Sequence, residues 1–89
     1  MSRSELEQLR LSLLRFLEAN VTRYALPTAV LRQMARAEGS QVSAEEVEAE
    51  LRYLEDGDLV TVNSKMVSPE IRAWRITKAG RDFYAQQMA

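Results

Sequence analysis

The chain has 89 residues, enough for one small domain built on a single core, and its composition is that of an ordinary globular protein. It contains no cysteine and no histidine, which excludes disulfides and thiolate metal sites and removes the commonest general base. Its apolar runs are too short to cross a membrane, and its charged N-terminus is unlike a secretory signal. We therefore expect a cytoplasmic protein forming one domain over 1–89.

The net charge of −1 conceals an uneven distribution of charge. Between Ser43 and Asp58 seven acidic residues stand against one base, Arg52, so the rest of the chain carries eleven bases and six acids. A net charge near zero argues against a wholly basic nucleic-acid-binding surface. The segregation instead predicts one acidic element on an otherwise basic domain.

The first two predicted helices span 4–19 and 27–38. The first has one apolar stripe at helical spacing, formed by Leu6, Leu9, Leu13, Leu14, Phe16 and Leu17. Leu11 lies off this stripe, and we expect an exposed leucine there, with a dimer contact as the alternative. Pro27 suits the first turn of the second helix. The side chains expected to face inward from that helix are Val30, Leu31, Met34 and Ala35.

The third predicted helix, 44–56, has the strongest local signals. Ser43 and Glu46 have the spacing of a capping box. The apolar repeat consists of Val47, Leu51 and Leu54. Gly57 is expected to end the helix in a left-handed conformation, which glycine adopts at little cost.

Two strands are predicted next, at 59–63 and 71–76, followed by a helix over 78–88 that Thr77 caps. A further short strand fits within 21–26. The expected order is helix, strand, helix, helix, strand, strand, helix. The fold class is mainly α with a small antiparallel β-ribbon.

The runs L-R-Y-L-E-D-G-D-L-V and W-R-I-T-K-A-G, together with this order, resemble the winged helix-turn-helix family. The matching positions are Leu51, Leu54, Gly57, Leu59, Val60, Trp74, Ile76, Thr77 and Gly80. A weaker resemblance is to small winged-helix proteins of bacteria and their temperate phages. The family resemblance implies a third helix in the DNA major groove and a β-ribbon, the wing, touching the DNA backbone or minor groove.

Basic side chains on the wing and second helix are the candidate DNA contacts, because Lys and Arg bind phosphates. The candidates are Lys65, Arg72, Arg75, Lys78, Arg32 and Arg36. The alternative is that they are solvated or pair with acids of the same domain. Met66 and Val67 at the predicted wing tip could insert into a groove or fold back on the domain.

The exposed face of the third helix is predicted to carry Glu45, Glu48, Ala49 and Arg52. Glutamates there would oppose phosphate charge, so we expect the wing and second helix to supply most contacts. The leading function is a DNA-binding, transcription-regulator-like protein, phage- or prophage-encoded and dimeric, with double-stranded DNA as its partner. The alternative is a protein-interaction domain whose acidic third helix docks a basic surface. No catalytic motif, cofactor, metal site or small-molecule ligand is predicted.

Overall fold

A computed structural model describes residues 2–20, 25–62 and 73–89 of the chain. The helices and strands follow the predicted order, with ends within about two residues of the predicted ones wherever those ends are described. They are α1 (Arg3–Ala19), β1 (Leu26–Pro27), α2 (Thr28–Ala37), α3 (Ala44–Asp56), β2 (Val60–Val62), β3 (Ala73–Ile76) and α4 (Lys78–Met88). The predicted wing-tip residues Met66 and Val67 lie outside the described residues.

The core is formed where α1, α2 and α3 pack together against the sheet. The predicted stripes are confirmed for α3 and, apart from the half-buried Leu6, for α1. The inward placement of Val30 was wrong, since its side chain is 37% exposed. Leu31 and Ala35 lie at the centre of the buried face of α2, and Val30 lies about 100° around the helix from Leu31.

The three strands form one antiparallel sheet in the order β1-β3-β2. Val60 pairs with Ile76 and Val62 with Trp74, so the predicted two-stranded ribbon is confirmed over these residues. The short early strand also forms, but it includes Pro27, which is the N-cap of α2 and not part of its first turn. A proline is tolerated here because β1 is an edge strand.

Trp74 fixes the sheet to the start of α2. Its side chain is fully buried, and its indole N–H donates a hydrogen bond to Thr28 Oγ1 over 3.0 Å. A buried indole whose one donor lacks an acceptor is costly. The entry into the helix-turn-helix unit is therefore set by a side chain of β3.

Helices α2 and α3 both end in a Schellman motif. At α2, Gly39 takes a φ of 95° and its amide donates to Arg36 O. At α3 the expectation for Gly57 was wrong: its φ is −88°, and Asp58 takes the left-handed conformation with a φ of 61°. Gly57 is the C-cap, so the left-handed position falls one residue later, where an aspartate is tolerated.

Gly80 is required by a close approach of two backbones. A Cβ at this position would lie 2.0 Å from the carbonyl oxygen of Leu59 and 2.8 Å from Cγ1 of Ile76. The same Leu59 carbonyl accepts a hydrogen bond from Thr77 N over 3.0 Å, which ties the turn after α3 to the start of α4. Only a residue without a side chain lets α4 begin this close to the ribbon.

We predict that Gly80→Ala destabilises the protein by about 1–3 kcal/mol, because the added methyl must displace backbone. The matched control is Gly57→Ala, whose Cβ would meet nothing closer than 3.7 Å at a negative φ. That control should be neutral or slightly stabilising. Urea unfolding of both variants tests this, and equal stabilities for the two variants would contradict it.

We also predict that Thr28→Val costs about 1–3 kcal/mol, because it leaves the buried indole N–H of Trp74 without its acceptor. Thr28→Ser keeps the hydroxyl and should recover most of the loss. Thermal unfolding is the measurement, with about 4–8 °C expected per kcal/mol for a domain of this size. A valine variant as stable as the serine variant would show that the hydrogen bond contributes nothing.

Candidate functional site

The helix-turn-helix unit consists of α2, the turn through residues 38–43, and α3. Arg32 Nε of α2 donates to the carbonyl of Val42 over 3.3 Å, which holds the turn against α2. The capping box is present: Ser43 N donates to Glu46 Oε1 over 2.9 Å, and Glu46 N donates to Ser43 Oγ over 3.1 Å. The position and the first turn of α3 are thus fixed by local contacts.

The rotation of α3 about its axis determines which of its charges are exposed. Val47, Leu51 and Leu54 are buried, which leaves two flanks and an outward side. Helical spacing places Glu46, Glu50 and Tyr53 on one flank. Glu45, Ala49, Arg52 and Asp56 lie on the outward side and are all exposed, and together they are called the outer face of α3.

Arg10 of α1 contacts the flank of α3 that carries Glu50 and Tyr53. Its Nε lies 2.5 Å from Glu50 Oε1, and the two side chains are only 25% and 12% exposed. Its guanidinium carbon also lies 3.8 Å from the centre of the Tyr53 ring, within the range of a cation–π contact. Glu50 is therefore neutralised within the domain and turned towards α1.

Glu46 is likewise not a free charge of the outer face. The backbone N–H of Ser43, and then its hydroxyl, hydrogen-bond the carboxylate and lower the pKa of Glu46 below its ordinary value of 4.5. The carboxylate also lies in the first turn of α3, where the helix dipole favours negative charge. Its role in the folded domain is to cap the helix.

Three of the four residues predicted on the exposed face of α3 are exposed in the structure, and their role as contacts stays a prediction. Glu45, Ala49 and Arg52 are exposed, whereas Glu48 is half-buried at the edge of this face. Glu48 Oε1 lies 3.7 Å from Arg52 Nη2, one helical turn away. Among the described residues, Glu45 has no ion pair, so it is the one glutamate of the group 45–50 left without an internal partner.

The predicted basic residues lie in different surroundings. Arg32 is half-buried and bonded to the turn, whereas Arg36, one turn further along the same side of α2, is exposed. Lys78 is exposed at the start of α4, and Arg75 is half-buried on β3 opposite Thr61. The two remaining predicted contacts, Lys65 and Arg72, lie outside the described residues.

A second surface, a groove, lies between α1, the end of α3 and α4. Leu11, which does not belong to the core stripe, lines it together with Tyr53 and Phe83. Leu11 is half-buried, and both aromatic side chains are exposed. Leu11 was expected to be exposed and is half-buried instead, and its alternative role in a dimer contact stays a prediction. Sequence reasoning missed Tyr53 and Phe83, whose helical spacing gave no sign that they share a surface.

No helix in the described parts of the chain is both long enough and apolar enough to cross a membrane. The same residues contain no group of three or more side chains placed to hold a metal ion.

Comparison with solved structures shows that this is the winged-helix fold. RosR from H. salinarum superposes with a TM-score of 0.72 at 16% identity, over 90% of this chain and 68% of that one. A PadR family transcription regulator from Clostridium difficile gives 0.66 at 14%, over 88% and 82%. The ferric uptake regulator from Francisella tularensis, in a structure with iron, gives 0.67 at 18%, over 80% and 52%.

The present chain thus spans about half the length of the ferric uptake regulator. No protein-family model matches the sequence. No curated protein is significantly similar to it either. The predicted winged-helix architecture is confirmed by the solved structures.

We predict that Arg10→Met destabilises the domain by about 1–3 kcal/mol, because Glu50 is left charged, mostly buried and unpaired. The matched control is Arg3→Met, whose partner Glu7 is exposed and 3.8 Å away, and which should cost no more than about 0.5 kcal/mol.

Adding Glu50→Leu to the Arg10 variant should recover most of the lost stability, because the unpaired charge is removed. Guanidinium unfolding of the three variants is the measurement. An Arg10 variant as stable as the Arg3 control would contradict a stabilising role for the ion pair between Arg10 and Glu50.

Proposed function

We propose that this protein is a DNA-binding, transcription-regulator-like winged-helix protein, acting on double-stranded DNA in the cytoplasm and without enzymatic activity. The observation that carries the proposal is the rotation of α3. Glu46 and Glu50 are engaged on the flank facing α1, so the outer face presents Arg52 and Ala49 with Glu45 and Asp56. Two of the four glutamates between positions 45 and 50 are therefore directed away from a duplex on that face.

Phosphate contacts would come from exposed basic side chains on other elements than α3. Arg36 and Lys78 are exposed and, among the described residues, without an ion pair. We propose that they contact the DNA backbone together with Arg75, Lys65 and Arg72. Arg32 would contribute mainly by holding the turn, since its Nε is already bonded to Val42 O.

The similarity to solved regulators supports the same proposal. Two of the superposed proteins are described as regulators, one of them as a transcription regulator. At identities of 18% and 14% these superpositions show a shared fold alone. The proposed function therefore rests on the surface described above. The expected phage or prophage origin stays a prediction.

We further propose that the protein acts as a homodimer. The groove lined by Leu11, Tyr53 and Phe83 is the candidate contact, because exposed aromatic side chains grouped with a half-buried leucine on one surface favour association. A dimer would place two α3 helices on one duplex, as winged and other helix-turn-helix dimers do.

A second candidate function is docking of a basic protein surface on α3. Glu45 and Asp56 favour it, since both are exposed and neither has an ion pair among the described residues. Under this proposal the protein would not bind duplex DNA near physiological salt. Charge reversal at Glu45 or Asp56 would abolish association with the partner.

We predict that duplex binding weakens steeply with salt. In Arg36→Ala the slope of the logarithm of the binding constant against the logarithm of the salt concentration should fall by about one unit, because one phosphate contact is removed. Lys65→Ala and Arg72→Ala should act similarly. The control is Arg3→Ala on α1, which should leave the slope unchanged. Fluorescence anisotropy with a random-sequence duplex at several salt concentrations is the measurement.

An absence of duplex affinity even at low salt would contradict the DNA-binding proposal and favour the protein-docking one. Equal slopes for wild type, Arg36→Ala, Lys65→Ala and Arg72→Ala would show that these side chains do not contact phosphate.

A further inference from the structure

The groove between α1, the end of α3 and α4 has the size and the lining of a small-molecule site. Its volume is about 670 Å³, and pockets for small organic molecules usually measure about 300–1,000 Å³. Two exposed aromatic rings, those of Tyr53 and Phe83, line it together with three leucines. The leucines are Leu11, Leu54 and Leu59. An apolar body of the size of a small organic molecule therefore fits this surface.

The charges that line the groove are mostly negative. Asp56 is exposed and has no ion pair among the described residues. Glu7 also lines the groove, and its pair with Arg3 is exposed and 3.8 Å long, so it contributes little. Arg10 is the one base among the described lining residues, and Glu50 neutralises it at 2.5 Å. The groove therefore carries a surplus of negative charge.

The end of α3 adds to this negative potential. The aligned peptide dipoles give the C-terminal end of a helix about half a unit of negative charge. The last turn of α3 contains Glu55 and Asp56 and no base, so nothing within the helix offsets that charge. An acid at this end of a helix is unfavourable for the folded domain, so the stability of α3 does not explain Asp56.

The aromatic rings favour the same sign of charge in an occupant. The face of an aromatic ring is partially negative and attracts a cation within about 6 Å of its centre. Tyr53 already makes such a contact, since the guanidinium carbon of Arg10 lies 3.8 Å from its ring centre. Among the described residues, no cation lies over the exposed ring of Phe83. An apolar cation would thus meet apolar walls, an open aromatic face and carboxylates in one place.

We propose that this groove binds an aromatic organic cation, whose rings pack on Leu11 and Phe83 and whose positive charge faces Asp56. The inference goes beyond the proposed function and does not depend on DNA binding. The same groove is the contact proposed above for a second copy of the chain. The cation and a second copy therefore exclude each other from it.

The probe is tetraphenylphosphonium, and its control is tetraphenylborate, an ion of closely similar size and shape with the opposite charge. Isothermal titration calorimetry of the wild-type protein in potassium-free buffer should show binding of the cation. Tetraphenylborate should bind roughly tenfold more weakly, because its charge is repelled where that of the cation is attracted. In a carbon-13 NMR spectrum, the cation should shift the methyl signals of Leu11 and leave that of Ala49 in place.

Two variants locate the site. Asp56→Asn should weaken the binding of tetraphenylphosphonium about three- to fivefold, the size expected for one charge pair a few ångströms apart in water. Its matched control is Glu45→Gln, which removes another exposed, unpaired acid of α3 at the far end from the groove and should change the affinity by less than a factor of about 1.5. Phe83→Leu keeps an apolar side chain but removes the ring, and should weaken binding about two- to fivefold. Thermal unfolding of each variant shows that the fold is retained.

Three results would overturn the inference: tetraphenylborate binding as tightly as tetraphenylphosphonium, equal affinities of Asp56→Asn and Glu45→Gln for the cation, or no shift of the Leu11 methyl signals at millimolar cation. In the third case, sedimentation that shows only dimer would assign the groove to a second copy instead. None of these results bears on duplex binding, because no DNA is present in the titrations.

Discussion

The ion pair between Arg10 and Glu50 is the contact on which the surface of this domain depends. It joins α1 to α3 in a half-buried position, and the Tyr53 ring packs on the same guanidinium. A mostly buried carboxylate cannot leave its cation without a large electrostatic penalty, so the contact supports the rotation of α3 that the burial of Val47, Leu51 and Leu54 sets. That rotation decides which charges of an acidic helix meet solvent and which are satisfied inside the domain.

The sheet and α4 make a second set of contacts with the helix-turn-helix unit. Trp74 bonds Thr28 at the start of α2, while the close contact of Gly80 with Leu59 sets where α4 begins after the ribbon. The turn after α3 thus lies directly against the start of α4. A rigid support of this kind is what precise placement of side chains on another macromolecule requires.

The fold was predictable from the sequence because its signals are local. The capping box of Ser43 and Glu46 and the apolar stripes depend on neighbours three or four residues away, and the structure confirms them. The partnership of Arg10 with Glu50 was not predictable, because it joins residues 40 positions apart and leaves no periodic trace. The left-handed residue after α3 was placed wrongly for a local reason. Glycine is the residue that most often takes this conformation at a helix end, but Gly57 is the C-cap of α3 and Asp58 takes the left-handed conformation.

The most direct test of the account is a titration with duplex DNA followed by the methyl signals of Ala49 and Leu11 in a carbon-13 NMR spectrum. Ala49 lies on the outer face of α3, and Leu11 in the groove lined with Tyr53 and Phe83. We expect the Ala49 methyl to shift with added duplex while the Leu11 methyls stay in place. Shifts at Leu11 with none at Ala49 would contradict the assignment of the outer face as the DNA-contacting surface.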